Sequence, residues 1–280
     1  MSRSGLPHRE DRIVVMGVLN VTPDSFSDGG RYTNLDDALA HGRLMAEEGA
    51  DLIDVGGEST RPGADRVPAE EEARRVLPVI SRLAAEGLLV SVDTYRAAVA
   101  ERALAAGATV VNDVSGGLGD PDMARVVREA GCPWILMHWR GHSRDMTALA
   151  SYADVVAEVR AELLARVDAA LAAGVAVEKL VLDPGLGFAK RAEHNWSLLA
   201  HFEALIGIGL PVLLGASRKS FLGRLLADPA GEPRPSWGRE DATVALTTFA
   251  ALNQAWGVRV HQVRPNVDAA LTVAALQAAK

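Results

Sequence analysis

The chain has 280 residues, 49% hydrophobic and 23% charged, which is ample material for one large core and carries no signature of disorder. Its 36 Asp and Glu outnumber 29 Lys and Arg, and aromatics are only 5%, so bulk-charge binding to nucleic acid or anionic membrane is disfavoured. The single Cys132 excludes an internal disulfide framework, and no segment reads as a membrane span or signal peptide; a soluble cytoplasmic protein is expected.

Residues 1–12 form a charged leader, expected to be flexible. From there, short apolar runs alternate with Ala- and Leu-rich helical segments. Ile13–Leu19 leads to the helix Leu35–Glu48, Asp51–Val55 to Ala69–Glu86, and Leu88–Val92 to Arg96–Ala106. Thr109–Val111 leads to Asp122–Ala130, and Trp134–Met137 to Tyr152–Ala173. Leu180–Leu182 leads to Trp196–Ile206, Val212–Leu214 to Glu240–Trp256, and Val258–Val260 to Val267–Ala278. The runs mostly lack polar alternation, as parallel strands buried on both faces do. Many helical segments end at a Gly suited to the left-handed C-terminal position. Eight such pairs over 13–280 predict an α/β protein, a single-domain (β/α)8 TIM barrel, with a doubly wound open sheet as the alternative. Gly57–Pro68 and Ala227–Gly238 read as irregular surface loops.

Nearly every apolar run stops at a polar residue: Asn20, Glu58 to Arg61, Asp93, Asn112-Asp113, His138, Asp183, Ser217 to Lys219, and His261. In a barrel these strand ends converge on one face, where active sites are built. Taken singly, Asp, Asn, Ser and Thr are equally natural as helix caps or turn residues. That alternative accounts poorly for Arg218, Lys219, Arg259 and His261, and the collective pattern points to an enzyme. Arg259 and His261 alternate on one strand and point the same way, as an anion clamp would.

Two segments carry long motifs. Met16–Gly30 (MGVLNVTPDSFSDGG) and Asp54–Gly63 (DVGGESTRPG) resemble the first and second signatures of the dihydropteroate synthase family. The resemblance continues in order through Ser91–Thr94 (SVDT), Asn112–Gly117 (NDVSGG), Met137-His138, Leu182–Phe188 (LDPGLGF), Gly215–Ser220 (GASRKS) and Arg259–His261 (RVH). It implies a (β/α)8 barrel, usually a homodimer. The implied reaction joins a hydroxymethyl-dihydropterin pyrophosphate to p-aminobenzoate, giving dihydropteroate and pyrophosphate for folate synthesis. By resemblance Asp183, Asn112 and Asp93 bind pterin nitrogens, and Lys219 reaches the ring carbonyl and N5 side. Arg259, His261 and Thr60 take the pyrophosphate, and Asn20 offers an oxygen to Mg²⁺. p-Aminobenzoate falls among Thr60, Arg61, Pro62, Phe188, Lys219 and Ser220, with Asn20–Gly30 and Gly57–Pro68 as mobile covers. Asp28 is the group expected to stabilise a cation-like pterin methylene, and no direct role falls to His138 or Arg140. A pterin-dependent methyltransferase domain, a non-catalytic pterin-binding paralogue and an unrelated phosphate-handling barrel are the competing readings.

Overall fold

In the computed structural model, residues 5–22, 33–58, 66–141 and 148–279 are described. The strands are β1 (Val14–Asn20), β2 (Leu52–Gly56), β3 (Val90–Asp93), β4 (Val110–Asp113), β5 (Trp134–Met137), β6 (Leu180–Asp183), β7 (Leu213–Leu214) and β8 (Gly257–Val260). They pair in parallel in the order β6-β5-β4-β3-β2-β1-β8-β7. A bridge between Leu182 and Val212, with the Leu182 N–H donating to Pro211 O at 2.8 Å, brings β6 to β7 and closes the sheet. The architecture is the expected single-domain (β/α)8 barrel, and the open sheet is excluded.

The helices around it are α1 (Thr33–Glu47), α2 (Ala69–Ala85), α3 (Ala97–Ala105), α4 (Met123–Ala130), α5 (Val155–Ala172), α6 (Ala192–Ala200), α7 (Glu203–Ile206), α8 (Ser220–Leu225), α9 (Glu240–Leu252) and α10 (Arg264–Ala278). On α2 the residues Ala73, Val76, Val79, Ile80 and Leu83 fall at three- and four-residue spacing and are all buried, the stripe a barrel-covering helix needs. At the start of α5 the Asp154 carboxylate accepts from the N–H groups of Val156 and Ala157 at 3.0 Å each, a cap of about 1 kcal/mol. No helix among the described residues is long and apolar enough to cross a membrane.

Three segments differ from the sequence expectation. The single helix read over Trp196–Ile206 is divided between α6 and α7. His201 leaves helical angles (φ −118°, ψ 39°), and Phe202 is buried beside Phe249, ring centroids 5.7 Å apart. The helix read to Trp256 stops at Leu252, because Gln254 turns left-handed (φ 59°) and the Trp256 N–H joins Val212 O. The six-residue α8 is additional; it is too short to show a helical period, and the burial of Phe221 and Leu222 anchors it.

Inside the barrel, Met16, Leu52, Val110, Ile135, Val181 and Leu213 form one buried cluster, with Leu6, Leu89 and Trp256 against it. Each of the six buried residues contributes about 1.5–3 kcal/mol by burial. Residues 6–12 cross this floor without helix or strand. The Trp256 Nε1–H donates to Pro7 O at 3.0 Å, and Arg12 pairs with Asp51. Further along the same strands the inward-facing positions become polar, and there the site is built.

Candidate active site

Strand register sets the first group of side chains. Asn20 pairs with Gly56, Gly56 with Asp93, and Asp93 with Asn112, so these four share one level across β1–β4. One level deeper on the same inner face, Asp54 stands opposite Ser91. Arg259 enters from β8 and joins both levels. Its Nε donates to Asp54 Oδ2 at 2.6 Å and its Nη2 to Asp93 Oδ2 at 2.6 Å, while Asn112 Nδ2 donates to the same Asp54 oxygen at 3.0 Å. Asp54 is 0% exposed, and a carboxylate there costs several kcal/mol in desolvation unless paired. Burial opposes the Arg259 charge, but Asp54 and Asp93 outweigh it and keep the guanidinium protonated. Burial also pushes the Asp93 carboxyl upward, against the pull of Arg259.

The second group stands on the loops after β6 and β7. Asp183 closes β6, and its Oδ1 accepts the Gly185 N–H at 2.7 Å. Its Oδ2 lies 3.3 Å from where a Cβ on Gly215 would be, so the missing side chain leaves that oxygen uncovered on the Gly215 side. Gly185 is left-handed (φ +65°), and a Cβ on it would stand 2.4 Å from His138 O, so only glycine fits. Lys219 Nζ sits 4.0 Å from the centroid of the Phe188 ring, a cation–π contact. Burial, then Arg259, lowers the Lys219 pKa to about 8. Burial raises that of Asp183, with the Gly185 N–H and Lys219 pulling the other way. His261, one residue past β8, has Nδ1 2.9 Å from Ser217 Oγ.

His138 follows β5 and meets α5 outside the barrel. Its Nε2 lies 2.9 Å from Glu162 Oε2, and Lys190 Nζ lies 2.8 Å from its Nδ1. Arg140 pairs with Glu158 and Glu162 and lies over the Tyr152 ring at 3.8 Å.

Of the residues read from the sequence, Asp93, Asn112, Asp183, Phe188, Lys219 and Arg259 come together at the barrel mouth, with Asn20 on the Asp93 level. Ser220 begins α8 beside Lys219. Arg259 and His261 have separate partners, carboxylates for the first and Ser217 for the second. Asp28, Thr60, Arg61 and Pro62 lie outside the described residues. The described flanks of the last three are tied by Arg96, whose Nη2 donates to Glu58 Oε2 and Val67 O at 2.8 Å each and whose Nη1 pairs with Glu72. The sequence reading gave Asp54 and Ser217, both within its motifs, no individual role and did not single out Lys190. A charge inside an otherwise apolar strand was the available signal for Asp54. Lys190 lies in an irregular loop, where no periodicity marks it.

Among the described residues no group of three or more His, Cys, Asp and Glu could hold a metal ion. Asn20 Oδ1 and Asp93 Oδ2 nevertheless flank the open side of Gly56, 3.8 and 3.5 Å from where a Cβ would stand. The Asp93 oxygen is taken by Arg259, which leaves the neutral Asn20 oxygen as the donor that suits a hard cation completing its shell with water and phosphate oxygens.

Residues 16–261 match the family described as pterin binding enzyme. A Mycobacterium leprae protein named dihydropteroate synthase is 59% identical over 264 residues, 94% of this chain and 93% of that one. The structure of Xanthomonas albilineans dihydropteroate synthase with 4-aminobenzoic acid superposes with a TM-score of 0.88 at 48% identity, covering 96% of this chain and 94% of that one. The same organism's enzyme with 7,8-dihydropteroate gives 0.85 at 45% identity, covering 96% and 95%.

Proposed function

This chain belongs to the pterin-binding enzyme family, among its dihydropteroate synthases, and on that premise we propose how its residues divide the reaction. The chain is a transferase of folate synthesis, joining (7,8-dihydropterin-6-yl)methyl diphosphate to 4-aminobenzoate with release of diphosphate. The observation that carries the assignment of roles is the buried wall of Asp93, Asn112 and Asp183, faced by Lys219 and Arg259.

An aminopyrimidinone edge offers paired N–H donors, and the Asp183 carboxylate, with Oδ2 turned to the gap at Gly215, accepts them. Asn112 and Asp93 meet further ring nitrogens from the strand side, and Lys219 meets the ring carbonyl and N5 side. Arg259, aimed by Asp54 and Asp93, and His261, steadied by Ser217, bind the diphosphate together with Thr60. Asn20 would hold Mg²⁺ with diphosphate oxygens, and the chemistry it supplies when bound is neutralisation of leaving-group charge. The methylene C–O bond breaks with its electron pair departing on diphosphate, and positive charge spreads from the methylene into the pterin. The amine nitrogen of 4-aminobenzoate, held among Arg61, Pro62, Phe188, Lys219 and Ser220, then forms the C–N bond and loses a proton. Asp28 carries the cation-stabilising role on the strength of the first motif. This is electrostatic catalysis by groups placed before reaction.

We read the protein as a cytoplasmic homodimer. The paired helices α9 and α10 leave Leu252, Leu271 and Leu276 exposed at 52%, 43% and 60%, which supports a partner there. The test of function is incubation of the chain with both substrates and Mg²⁺, measuring dihydropteroate and diphosphate in equal amounts. Substituted 4-aminobenzoates in single turnover test the order of bond changes, and a shallow dependence on amine basicity is expected. Pterin binding without product would identify a binding protein instead, and a steep dependence would make nitrogen attack the driver of cleavage.

A further inference from the structure

β6 ends on Asp183 and the loop after it carries Phe188, both assigned to substrates, and the loop turns through left-handed angles at Gly185, Gly187 and Ala189. Its backbone is held from outside the mouth by Lys190. The ammonium has three acceptors: His138 Nδ1 at 2.8 Å, Gly185 O at 3.1 Å and Phe188 O at 3.2 Å. Tyr152 adds a fourth tie, its hydroxyl donating to Ala189 O at 3.0 Å.

The partners of His138 fix where its proton lies. Bonds from His138 and Arg140 hold the Glu162 carboxyl at about 2, so it is an acceptor. Burial and the neighbouring Lys190 lower His138 to about 4, so the imidazole is neutral near pH 7. Its one N–H therefore faces Glu162 from Nε2, and the Nδ1 lone pair is left for Lys190. Burial pulls Lys190 itself down to about 7, with Asp183 opposing, and the acceptors around Nζ favour its charged form. In its ammonium form, three protons meet three acceptors. A methionine of similar length would fill the same space without the desolvation cost of a charge. What the ammonium adds is direction, because it fixes two loop carbonyls relative to the end of β5.

We propose that Lys190 is a positioning residue for the 4-aminobenzoate side of the site: its ammonium ties Gly185 and Phe188 to His138 and so sets where the Phe188 ring stands against Lys219. The proposal rests on the reading of Phe188 as a wall of that subsite. Asp183 is less exposed to the loss of the tie, since it is the last residue of a paired strand, whereas Phe188 is held through its loop.

Lys190→Met and His138→Gln in the full chain separate the possibilities. The amide introduced by His138→Gln keeps an acceptor for Lys190 and a donor for Glu162, whereas the thioether introduced by Lys190→Met keeps neither loop bond. For Lys190→Met the expected result is a 4-aminobenzoate KM raised about tenfold, pterin diphosphate affinity within about twofold, and faster amide exchange across 185–188. His138→Gln should stay near wild type in KM and exchange. Unchanged KM and exchange in Lys190→Met would overturn the proposal, as would equal losses for both substrates alongside a general fall in Tm. If the wild-type chain made no dihydropteroate, the functional reading would fail, while the exchange measurement would still decide whether Lys190 fixes the loop.

Discussion

Strands β1–β4 and β8 present Asn20, Asp54, Asp93, Asn112 and Arg259 from paired backbone, and Asp54, Asp93, Asn112 and Arg259 bind one another across the barrel at 2.6–3.0 Å. On the opposite side Phe188 and Lys219 stand on loops, and the Phe188 loop has its backbone fixed by side chains reaching in from behind: Lys190, Tyr152 and Asn195, the last accepting the Gly187 N–H at 2.7 Å. The first half is positioned by sheet register, which a local change hardly moves. The second depends on a few side-chain bonds, each removable. A rigid wall suits the substrate recognised by many directed hydrogen bonds. In the proposed division of the site, the adjustable wall is the one that faces the flat aromatic acid.

The largest effect should come from the strand-borne half. Asp54 holds Arg259 and Asn112 and is itself unexposed. Asp54→Ala leaves a buried guanidinium with Asp93 as its remaining carboxylate and Asn112 Nδ2 without that acceptor. A loss of about 3 kcal/mol in urea unfolding is expected, because removing one member of a buried ion pair strands the other. A loss below about 1 kcal/mol would mean that the Asp54 pairing is not what stabilises the strand-borne half.

That contrast also explains what the sequence showed. The strands were legible because each is a short apolar run, and the residues at their ends followed once the runs were placed. Asp93, Asn112 and Asp183 are in fact the final residues of their strands or adjacent to them, so the register carried them to the mouth. Asp54 was visible as a charge inside a buried run, but nothing local showed that Arg259 and Asn112 would meet it across the barrel. The loop-borne supports left no period to read: Lys190 bonds Gly185 and Phe188 of its own irregular loop and His138 of a distant segment, and Tyr152 reaches Ala189 from another. The division between α6 and α7 was likewise decided by the burial of Phe202.

A smaller effect separates the halves by pH. His138 is held near 4 in the fold against an ordinary value of 6.5, so the unfolded chain takes up its proton first. Stability is therefore lost as pH falls from 6.5 toward 4, by about 2 kcal/mol between pH 7 and pH 5. Glu162 acts in a lower window: its depressed value gives stability above about 4.5 that is lost as pH falls toward 2. His138→Gln should remove the first slope and leave the second. Urea midpoints at pH 7 and pH 5 measure it, and an unchanged slope would show that this imidazole does not titrate as the geometry requires. In the strand-borne half Asp93, raised by burial, responds with the opposite sign, so the difference in slope between the wild type and His138→Gln is what isolates the imidazole.

The last contrast sets Asp183 against Asp54. Both are buried carboxylates at the mouth, but Asp54 is paired to a cation, whereas Asp183 takes a backbone N–H and turns its other oxygen to the space at Gly215. Burial raises the Asp183 pKa in the fold above its unfolded value, so at neutral pH its charge works against folding. Removing that charge should not lower stability. Asp183→Asn can keep the bond to the Gly185 N–H, and its urea midpoint should equal or exceed that of the wild type. Binding should move the other way. The substitution places an amide group against ring N–H donors that need an acceptor, and pterin diphosphate should bind at least tenfold more weakly by calorimetry, about 1.4 kcal/mol. Asp54→Ala loses stability first; Asp183→Asn loses ligand without losing stability. If Asp183→Asn bound the pterin as the wild type does, the carboxylate would not be the group that recognises the ring, and its burial would need another cause.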